Sequence, residues 1–169
     1  MQNDSKKQEN DSLGWYALKV FYNRTEQVRE QIKGLAREVY APRRVISSLM
    51  FVYTTPGNLE YIRKDHYKDL KVYSQPGDNV PFQIPKSQME VFKFVTSMED
   101  KNLERIDPEA VNYKAGEHVR VTGGIFKGAE GYIKRIRGNK RLVVSIEGVV
   151  AVATSYIPTV YLEKLEKDN

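Results

Sequence analysis

The hydrophobic and polar positions divide the chain into two patterned regions separated by a segment without periodicity. Apolar and aromatic residues dominate 13–22 and 48–55, which predicts two strands. Helical spacing begins after Asn23, which suits an N-cap, and after Pro85, which suits a first helical turn. From 99 to 112 the residues are mostly charged and the apolar ones are scattered, which predicts a linker.

The second region consists of short strand patterns punctuated by glycine. Val119 and Val121 alternate with polar residues, which predicts a half-buried strand. Gly123 and Gly124 then suit a tight turn with positive φ, and Phe126 is placed to fold back into the core. Five such strands in about fifty residues, with no helical pattern, predict a small closed barrel. Their Val, Ile and Gly content favours a stable barrel over a helical hairpin.

Composition excludes several classes of protein. The 169 residues contain no cysteine and two histidines, so disulfides, thiolate sites and a histidine-rich metal centre are not expected. No catalytic or phosphate-cradling motif appears, so we expect neither an enzyme nor a cofactor. The chain has no long apolar run and its first dozen residues are polar, which argues against a membrane span and a secretory signal. We therefore expect a cytoplasmic protein. A net charge of +5 makes nucleic acid a plausible neighbour.

The segment Gly116–Gly131 runs strand, Gly-Gly, aromatic, Lys-Gly, Glu-Gly, strand. It resembles the KOW motif of the NusG-type transcription elongation factors and of several ribosomal proteins. In the first region, Trp15-Tyr16 before a strand and Ile84-Pro85 before the last helix resemble the N-terminal (NGN) domain of the NusG family. Residues 46–52 stand where that family usually has Phe-Pro-Gly-Tyr-Val-Phe-Val. The ordered combination resembles a NusG-type factor more than a ribosomal protein.

This resemblance implies an α+β fold with two domains. The first would be an NGN-like α/β sandwich, an antiparallel sheet with three helices, and the second a small five-stranded KOW β-barrel. The expected limits are a disordered tail at 1–12, the NGN-like polymerase-binding domain at 13–98, the linker at 99–112 and the KOW domain at 113–169.

Two departures from the family pattern favour a specialised paralogue. The connection Pro42–Ser48 is minimal, and Ser47-Ser48-Leu49 replaces the family's Pro-Gly-Tyr. Glu147 replaces an aromatic residue that helps general NusG engage a small-subunit ribosomal protein, so neither that partner nor Rho is expected. Among specialised paralogues, the chain resembles RfaH and the UpxY antiterminators, which act on selected operons such as those for surface polysaccharides. A general NusG-like factor and a ribosomal or RNA-binding KOW protein remain alternatives.

The resemblance implies that the first domain docks on the clamp helices of the largest subunit of RNA polymerase, keeps the clamp closed and suppresses pausing or termination. The expected docking patch is Leu49 and Phe51, alternating along one strand, with Tyr53 as its extension. Trp15 and Tyr16 lie on opposite faces of their strand, so one of them would line the patch. The alternative is that Leu49 and Phe51 simply fill the core.

Two basic groups are candidate nucleic-acid or partner contacts. Arg24, Arg43 and Arg44 would meet phosphates of upstream DNA or of the non-template strand, although exposed arginines are commonly just solvated. Residues 113–169 contain ten Lys and Arg against six Asp and Glu. Their basic residues crowd one hairpin, where they either bind a partner beside Glu147 or protect a sheet edge from aggregation; they are Lys134, Arg135, Arg137, Lys140 and Arg141.

Overall fold

The computed structural model describes residues 12–166, so the stretch predicted to be a disordered tail lies outside the described residues except for Ser12. The chain divides into two compact units, with the boundary between Lys86 and Ser87. The domain limits expected from the sequence stay a prediction. Within the described residues, no helix is both long and apolar enough to cross a membrane.

The first unit is built on a four-stranded antiparallel sheet with the order β2-β3-β1-β4. Its strands are β1 (Gly14–Val20), β2 (Glu38–Tyr40), β3 (Leu49–Thr54) and β4 (Leu70–Val72). Both long strand patterns of the first region are therefore confirmed, slightly shortened. After β4, a single bridge joins Ser74 to Pro81, and Ile84 bridges to Trp15.

Two helices cover one face of this sheet, α1 (Thr25–Ile32) and α2 (Pro56–Asp65). The N-cap expected at Asn23 is not found. Asn23 adopts a left-handed φ of 55° outside α1, and no side chain caps that helix at Arg24. The Thr55 hydroxyl caps α2 by accepting a hydrogen bond from the Asn58 amide at 3.2 Å.

The core of the first unit lies between this sheet face and the two helices. Alternate strand positions such as Leu18 and Met50 point to it and meet Val28 of α1 and Ile62 of α2. Each of these four side chains is at most 1% exposed. The pattern explains why β1 and β3 are so apolar, because both of their faces carry buried residues.

The second unit contains most of α3 (Lys86–Ser97), the short helix α4 (Pro108–Val111) and a six-stranded sheet. The strands are β5 (Glu104–Ile106), β6 (Glu117–Val121), β7 (Glu130–Ile136), β8 (Asn139–Ile146), β9 (Val150–Tyr156) and β10 (Leu162–Lys164). They pair antiparallel in the order β10-β6-β7-β8-β9-β5. The expected β-rich character of this region is confirmed.

The expected closed five-stranded barrel is not confirmed. Among residues 12–166, no strand pairing joins the two ends of the sheet. The sixth strand, β5, comes from the segment that the sequence predicted to be a linker, and it pairs with β9 from Glu104↔Ala153 to Ile106↔Ala151. A three-residue strand is too short to show alternation, so its charged sequence concealed it.

The glycine-rich element follows the expectation in part. Gly124 has the expected positive φ of 77°, Gly123 does not have a positive φ, and Phe126 is 4% exposed within the second unit. Gly131 lies in β7 where a Cβ atom would overlap the carbonyl oxygen of Val143 on β8. Glycine at 131 therefore permits a close approach of two strands, which no other residue would allow without a shift.

Candidate partner-binding surfaces

The predicted docking residues share the sheet face opposite to the first-unit core. In the pairing of β1 with β3, Trp15 stands opposite Tyr53 and Ala17 opposite Phe51. The Trp15 and Tyr53 rings pack with their centroids 5.2 Å apart. Leu49 follows on the same face because side chains alternate along a strand. Geometry thus brings Trp15, Leu49, Phe51 and Tyr53 together.

These four residues differ in accessibility. Leu49 and Phe51 are 3% and 0% exposed, and Trp15 is also buried. Tyr53 alone among the four is partly exposed. It borders a groove of about 360 Å³ that Trp15, Gln83 and Ile84 also line. Tyr53 is therefore the member of the set at which a substitution changes the surface without emptying the core.

Tyr16 lies on the other face of β1. It belongs to the core cluster that α1 and α2 cover, and burial raises the pKa of its phenol. The sequence left open which of Trp15 and Tyr16 shares the face of Phe51. The strand register answers that it is Trp15.

The three predicted DNA-contacting arginines gather around the N-terminus of α1. The Thr25 hydroxyl donates a hydrogen bond of 2.6 Å to the Ser47 carbonyl, which ties the β2–β3 connection to this helix. Arg43 in that connection pairs with Glu26 of α1 at 2.9 Å. Arg24 pairs with Asp69 at 2.6 Å. Arg44 is exposed beside Arg43. The charges of Arg24 and Arg43 are thus partly neutralised by neighbouring carboxylates.

Two exposed aromatic residues at this end of the sheet were not singled out from the sequence. Tyr22 is 81% exposed at the end of β1, where it adopts a φ of 57°. Tyr67 is 68% exposed in the connection before β4, and the Lys68 ammonium lies 5.6 Å from its ring centroid. A backbone hydrogen bond of 2.7 Å from Phe21 to the Asp69 carbonyl holds the two segments together. Strand-like sequence around Tyr22 predicted burial and hid this exposure.

The basic hairpin of the second unit is formed by β7 and β8. Arg135 stands directly opposite Lys140, and Lys134 opposite Arg141. The two-residue turn consists of Arg137 and Gly138, both with positive φ (48° and 84°). This geometry is that of a type I′ hairpin, whose twist matches paired strands. Arg135 and Arg137 are exposed, and Lys134 and Lys140 are partly so.

Arg141 does not belong to this exposed surface, in contrast to the expectation from sequence. Its side chain is 6% exposed. Its guanidinium donates to the Glu104 carboxylate at 2.7 Å and to the Asn102 carbonyl at 2.6 Å, and also to the carbonyls of Thr154 and Ala153. Arg141 therefore fixes β5 and the residues before it to β8 and β9.

Glu104 completes this arrangement. Hydrogen bonds from Arg137 and Arg141 hold the pKa of the Glu104 carboxyl below its usual range. The Asp100 carboxylate adds a further tie by accepting a 2.7 Å hydrogen bond from the Ser155 amide. The segment from 100 to 106 is thus attached along β9 by ionic and backbone contacts, with Ile106 as its buried apolar residue.

Glu147 lies in the β8–β9 turn beside Gly148, which has a positive φ of 76°. Its carboxylate pairs with the Lys114 ammonium, which raises the pKa of Lys114. Both side chains are more than half exposed. A groove of about 570 Å³ opens here between the turn and α4, with Asp107 and Glu109 at its rim.

Within residues 12–166, no group of three or more His, Cys, Asp or Glu side chains is arranged to hold a metal ion.

The architecture has a solved counterpart. NusG of Thermotoga maritima, in a structure of its domain interaction, is similar at a TM-score of 0.53 and 18% sequence identity, over 92% of this chain and 98% of that one. The MjSpt4:Spt5 complex in conformations B and A matches at TM-scores of 0.36 and 0.35 with 14% and 13% identity. Those matches cover 92% and 91% of this chain and 99% of each of those chains.

No protein-family model matches the chain, and no curated protein sequence matches it. The similarity to the Thermotoga protein establishes the fold: a NusG-like arrangement of helices and two antiparallel sheets.

Proposed function

We propose that this protein is a NusG-type transcription elongation regulator that binds RNA polymerase and suppresses pausing or termination on selected operons. The observation that carries the proposal is the NusG-like fold over nearly the whole chain. The KOW-like order of Gly116–Gly131 and the NGN-like strand opening at Trp15 add to it. We further propose a cytoplasmic location, associated with the nucleoid through the polymerase.

The docking surface in this proposal is the partly exposed Tyr53 and the groove that it borders with Trp15. Leu49 and Phe51 are buried on the same sheet face and support it from beneath. The proposed partner is the clamp helices of the largest polymerase subunit, because a groove with aromatic side chains suits a helix tip. The partly exposed Tyr53 ring, packed on Trp15, would be the first contact of the partner helix. Aromatic side chains in such positions often dominate binding free energy.

Upstream or non-template DNA is the second proposed partner. Arg24, Arg43 and Arg44 cluster at one end of the first sheet, where phosphate contacts would add affinity without reading sequence. The exposed rings of Tyr22 and Tyr67 stand at the same end. They extend the proposed contact from phosphates to unstacked bases, because any base can stack on an aromatic ring.

Action on selected operons, as in RfaH or UpxY proteins, is proposed from the second unit. Glu147, paired with Lys114, stands where general NusG presents an aromatic residue, so the ribosomal protein and Rho are not proposed as partners. The exposed basic hairpin is the surface proposed for a different partner, through Lys134, Arg135, Arg137 and Lys140. An operon-specific role predicts that the factor acts on some leader sequences and leaves others unchanged.

Binding to purified RNA polymerase tests the proposal. Wild-type protein should bind after nuclease treatment, and Tyr53→Ala should weaken binding by about tenfold or more. Tyr61→Ala is the matched control, because Tyr61 is 63% exposed on α2 and should bind as wild type does. Leu49→Ser should also weaken binding, but Leu49 is buried, so thermal unfolding must show that this variant is folded.

Single-round transcription then tests the activity. Wild-type protein should reduce pausing or termination on a cognate operon leader and leave an unrelated template unchanged. Equal effects on all templates would favour a general NusG-like factor. If the protein does not bind polymerase but binds ribosomes in a nuclease-sensitive way, the proposal is wrong and the ribosomal alternative holds.

A further inference from the structure

A groove on the first unit contains two lysines that take no part in the proposed contacts with RNA polymerase or DNA. It lies beside β1 and β4, has a volume of about 550 Å³, and is bordered by the connection that follows β4. The lining residues on which the argument depends are basic, aromatic or amide-bearing: Lys19, Phe21, Lys71, Tyr73, Gln75 and Asn79. We call it the lysine groove.

The two lysines of the groove are directly opposite each other. Lys19 of β1 pairs in register with Lys71 of β4, so both side chains leave the same face of the sheet. Like charges at such a position destabilise the pairing of two strands. Within residues 12–166, Lys71 makes no ion pair, and the Lys19 ammonium approaches only the Phe21 ring, at 5.8 Å from its centroid. An anion placed between the two ammonium groups would remove this repulsion.

No described residue that lines the groove carries a carboxylate. The nearby carboxylate of Asp78 accepts a hydrogen bond of 3.0 Å from the Val80 amide in the same loop. Further hydrogen bonds hold the loop, from Gln75 to the Val80 carbonyl at 2.8 Å and from Phe82 to the Tyr73 carbonyl at 2.9 Å. The wall of the groove is therefore already fixed, which reduces the ordering cost of binding.

The aromatic and amide groups define what kind of anion fits. Phe21 and Tyr73 are partly exposed on the two sides of the lysine pair, two residues along from Lys19 and Lys71 and so on the same face. Gln75 and Asn79 add hydrogen-bonding amides at the loop. An inorganic anion would use the lysines alone, whereas a nucleotide would use its phosphate on the lysines and its base on a ring.

We propose that the lysine groove binds a nucleotide unit, with its phosphate between Lys19 and Lys71 and its base against Phe21 or Tyr73. The unit belongs either to a single-stranded nucleic acid or to a free nucleotide. This site is separate from the arginines around α1, and its test does not involve RNA polymerase. A negative result therefore leaves polymerase binding and antitermination untouched, although both proposals place single-stranded DNA on the first unit.

The test is fluorescence anisotropy of the full chain with a labelled thymidine oligonucleotide of about 12 nucleotides. The double variant Lys19→Gln/Lys71→Gln should lower affinity by about tenfold and reduce the salt dependence by roughly one phosphate contact, about 0.7 in the logarithmic slope. The control Lys33→Gln/Lys64→Gln removes the same charge from exposed helix positions of the same unit and should bind nearly as wild type does.

A second pair of variants separates stacking from charge. Tyr73→Leu keeps apolar bulk but removes the ring and should weaken the oligonucleotide by about tenfold, whereas Tyr61→Leu should not. Competition with thymidine monophosphate identifies the source of the ligand. If the mononucleotide displaces the oligonucleotide at a similar concentration, the groove binds a free nucleotide. If the mononucleotide does not displace it, the groove binds a nucleic-acid strand. Equal losses in both lysine variants would overturn the proposal. So would tighter, Lys71-dependent binding of an acidic peptide, which would assign the groove to a protein.

Discussion

Glu104→Ala would leave the buried guanidinium of Arg141 without its carboxylate partner, and we expect it to destabilise the second unit by about 2–3 kcal/mol. Removing one partner of a fully buried ion pair typically costs about 3–5 kcal/mol. The Arg141 side chain is 6% exposed, but that of Glu104 is 36% exposed, so water screens part of the interaction and the expected cost is smaller. The carbonyls of Asn102, Ala153 and Thr154 still accept from Arg141 and limit the loss further.

The variant Glu104→Gln separates charge from hydrogen bonding. It keeps an oxygen acceptor for Arg141, so we expect a loss of only about 1 kcal/mol at neutral pH. The pKa of Glu104 is lowered in the folded state by hydrogen bonds from Arg137 and Arg141. Its stabilising contribution is therefore complete above the ordinary glutamate pKa of about 4.3 and is lost as pH falls through the lower folded value. The glutamine variant should lack this part of the acid sensitivity.

Urea unfolding of the full chain measures the free energy of unfolding. Hydrogen exchange of the amides in residues 104–106 reports whether β5 stays paired with β9. Glu163→Gln is the matched control, because Glu163 is an exposed carboxylate of the same unit that lies 3.7 Å from the exposed Arg120. It should change stability by less than about 0.5 kcal/mol. If Glu104→Ala stays within that same range and the 104–106 amides exchange as in wild type, Arg141 does not attach β5 in the way inferred here.

Two further substitutions test the packing of the second unit. Phe126→Ala should lower the free energy of unfolding by about 3–5 kcal/mol because the ring is buried. Its control, Ile125→Ala, changes a neighbouring side chain that is 56% exposed and should lower the free energy of unfolding by less than about 0.5 kcal/mol. Equal effects of the two variants in thermal unfolding would contradict the core position of Phe126. Gly131→Ala should destabilise the β7–β8 pairing by about 1–3 kcal/mol because its Cβ would overlap the Val143 carbonyl oxygen. In its control, Gly57→Ala in α2, the added Cβ meets no atom within 4 Å, so this variant should be neutral or more stable by up to about 1 kcal/mol. A Gly131→Ala protein as stable as this control would refute the close approach of β7 and β8 at Gly131.

Local pattern was sufficient to predict the long strands and the helices α1 and α3, because their signals lie within a few residues. Alternation at Val119 and Val121 and the glycines that follow specify strand, turn and core aromatic in order. The opposite facing of Trp15 and Tyr16 was also predictable. The sheet face that the helices cover could not be predicted, because it depends on the register of β1 against β3 and on where α1 and α2 pack.

Long-range partners account for what the sequence did not reveal. Arg141 stands among other basic residues in a hairpin, where exposure is the ordinary expectation for arginine. Its burial depends on Glu104 and Asn102, which are 37 and 39 residues away in sequence. The same contacts hold residues 104–106 as the strand β5, although their sequence has no strand pattern. A charged residue in a sequence is thus expected to be exposed to solvent, unless a distant carboxylate and backbone carbonyls replace water as its hydrogen-bond partners.

The position of β5 also limits how partners can engage the second unit. A strand has two edges, and β9 uses one for β8 and the other, at residues 151–153, for β5. A five-stranded barrel closed through those residues is therefore incompatible with the structure, because β5 already satisfies their edge. A partner that adds a strand at 151–153 would first have to displace β5 and break the hydrogen bonds of Glu104 with Arg141 and Arg137. The β7–β8 hairpin and the turn at Glu147 remain accessible without such a rearrangement. Because Arg137 of that hairpin pairs with Glu104, Glu104→Ala should change partner binding at the hairpin but leave binding at the Glu147 turn unchanged.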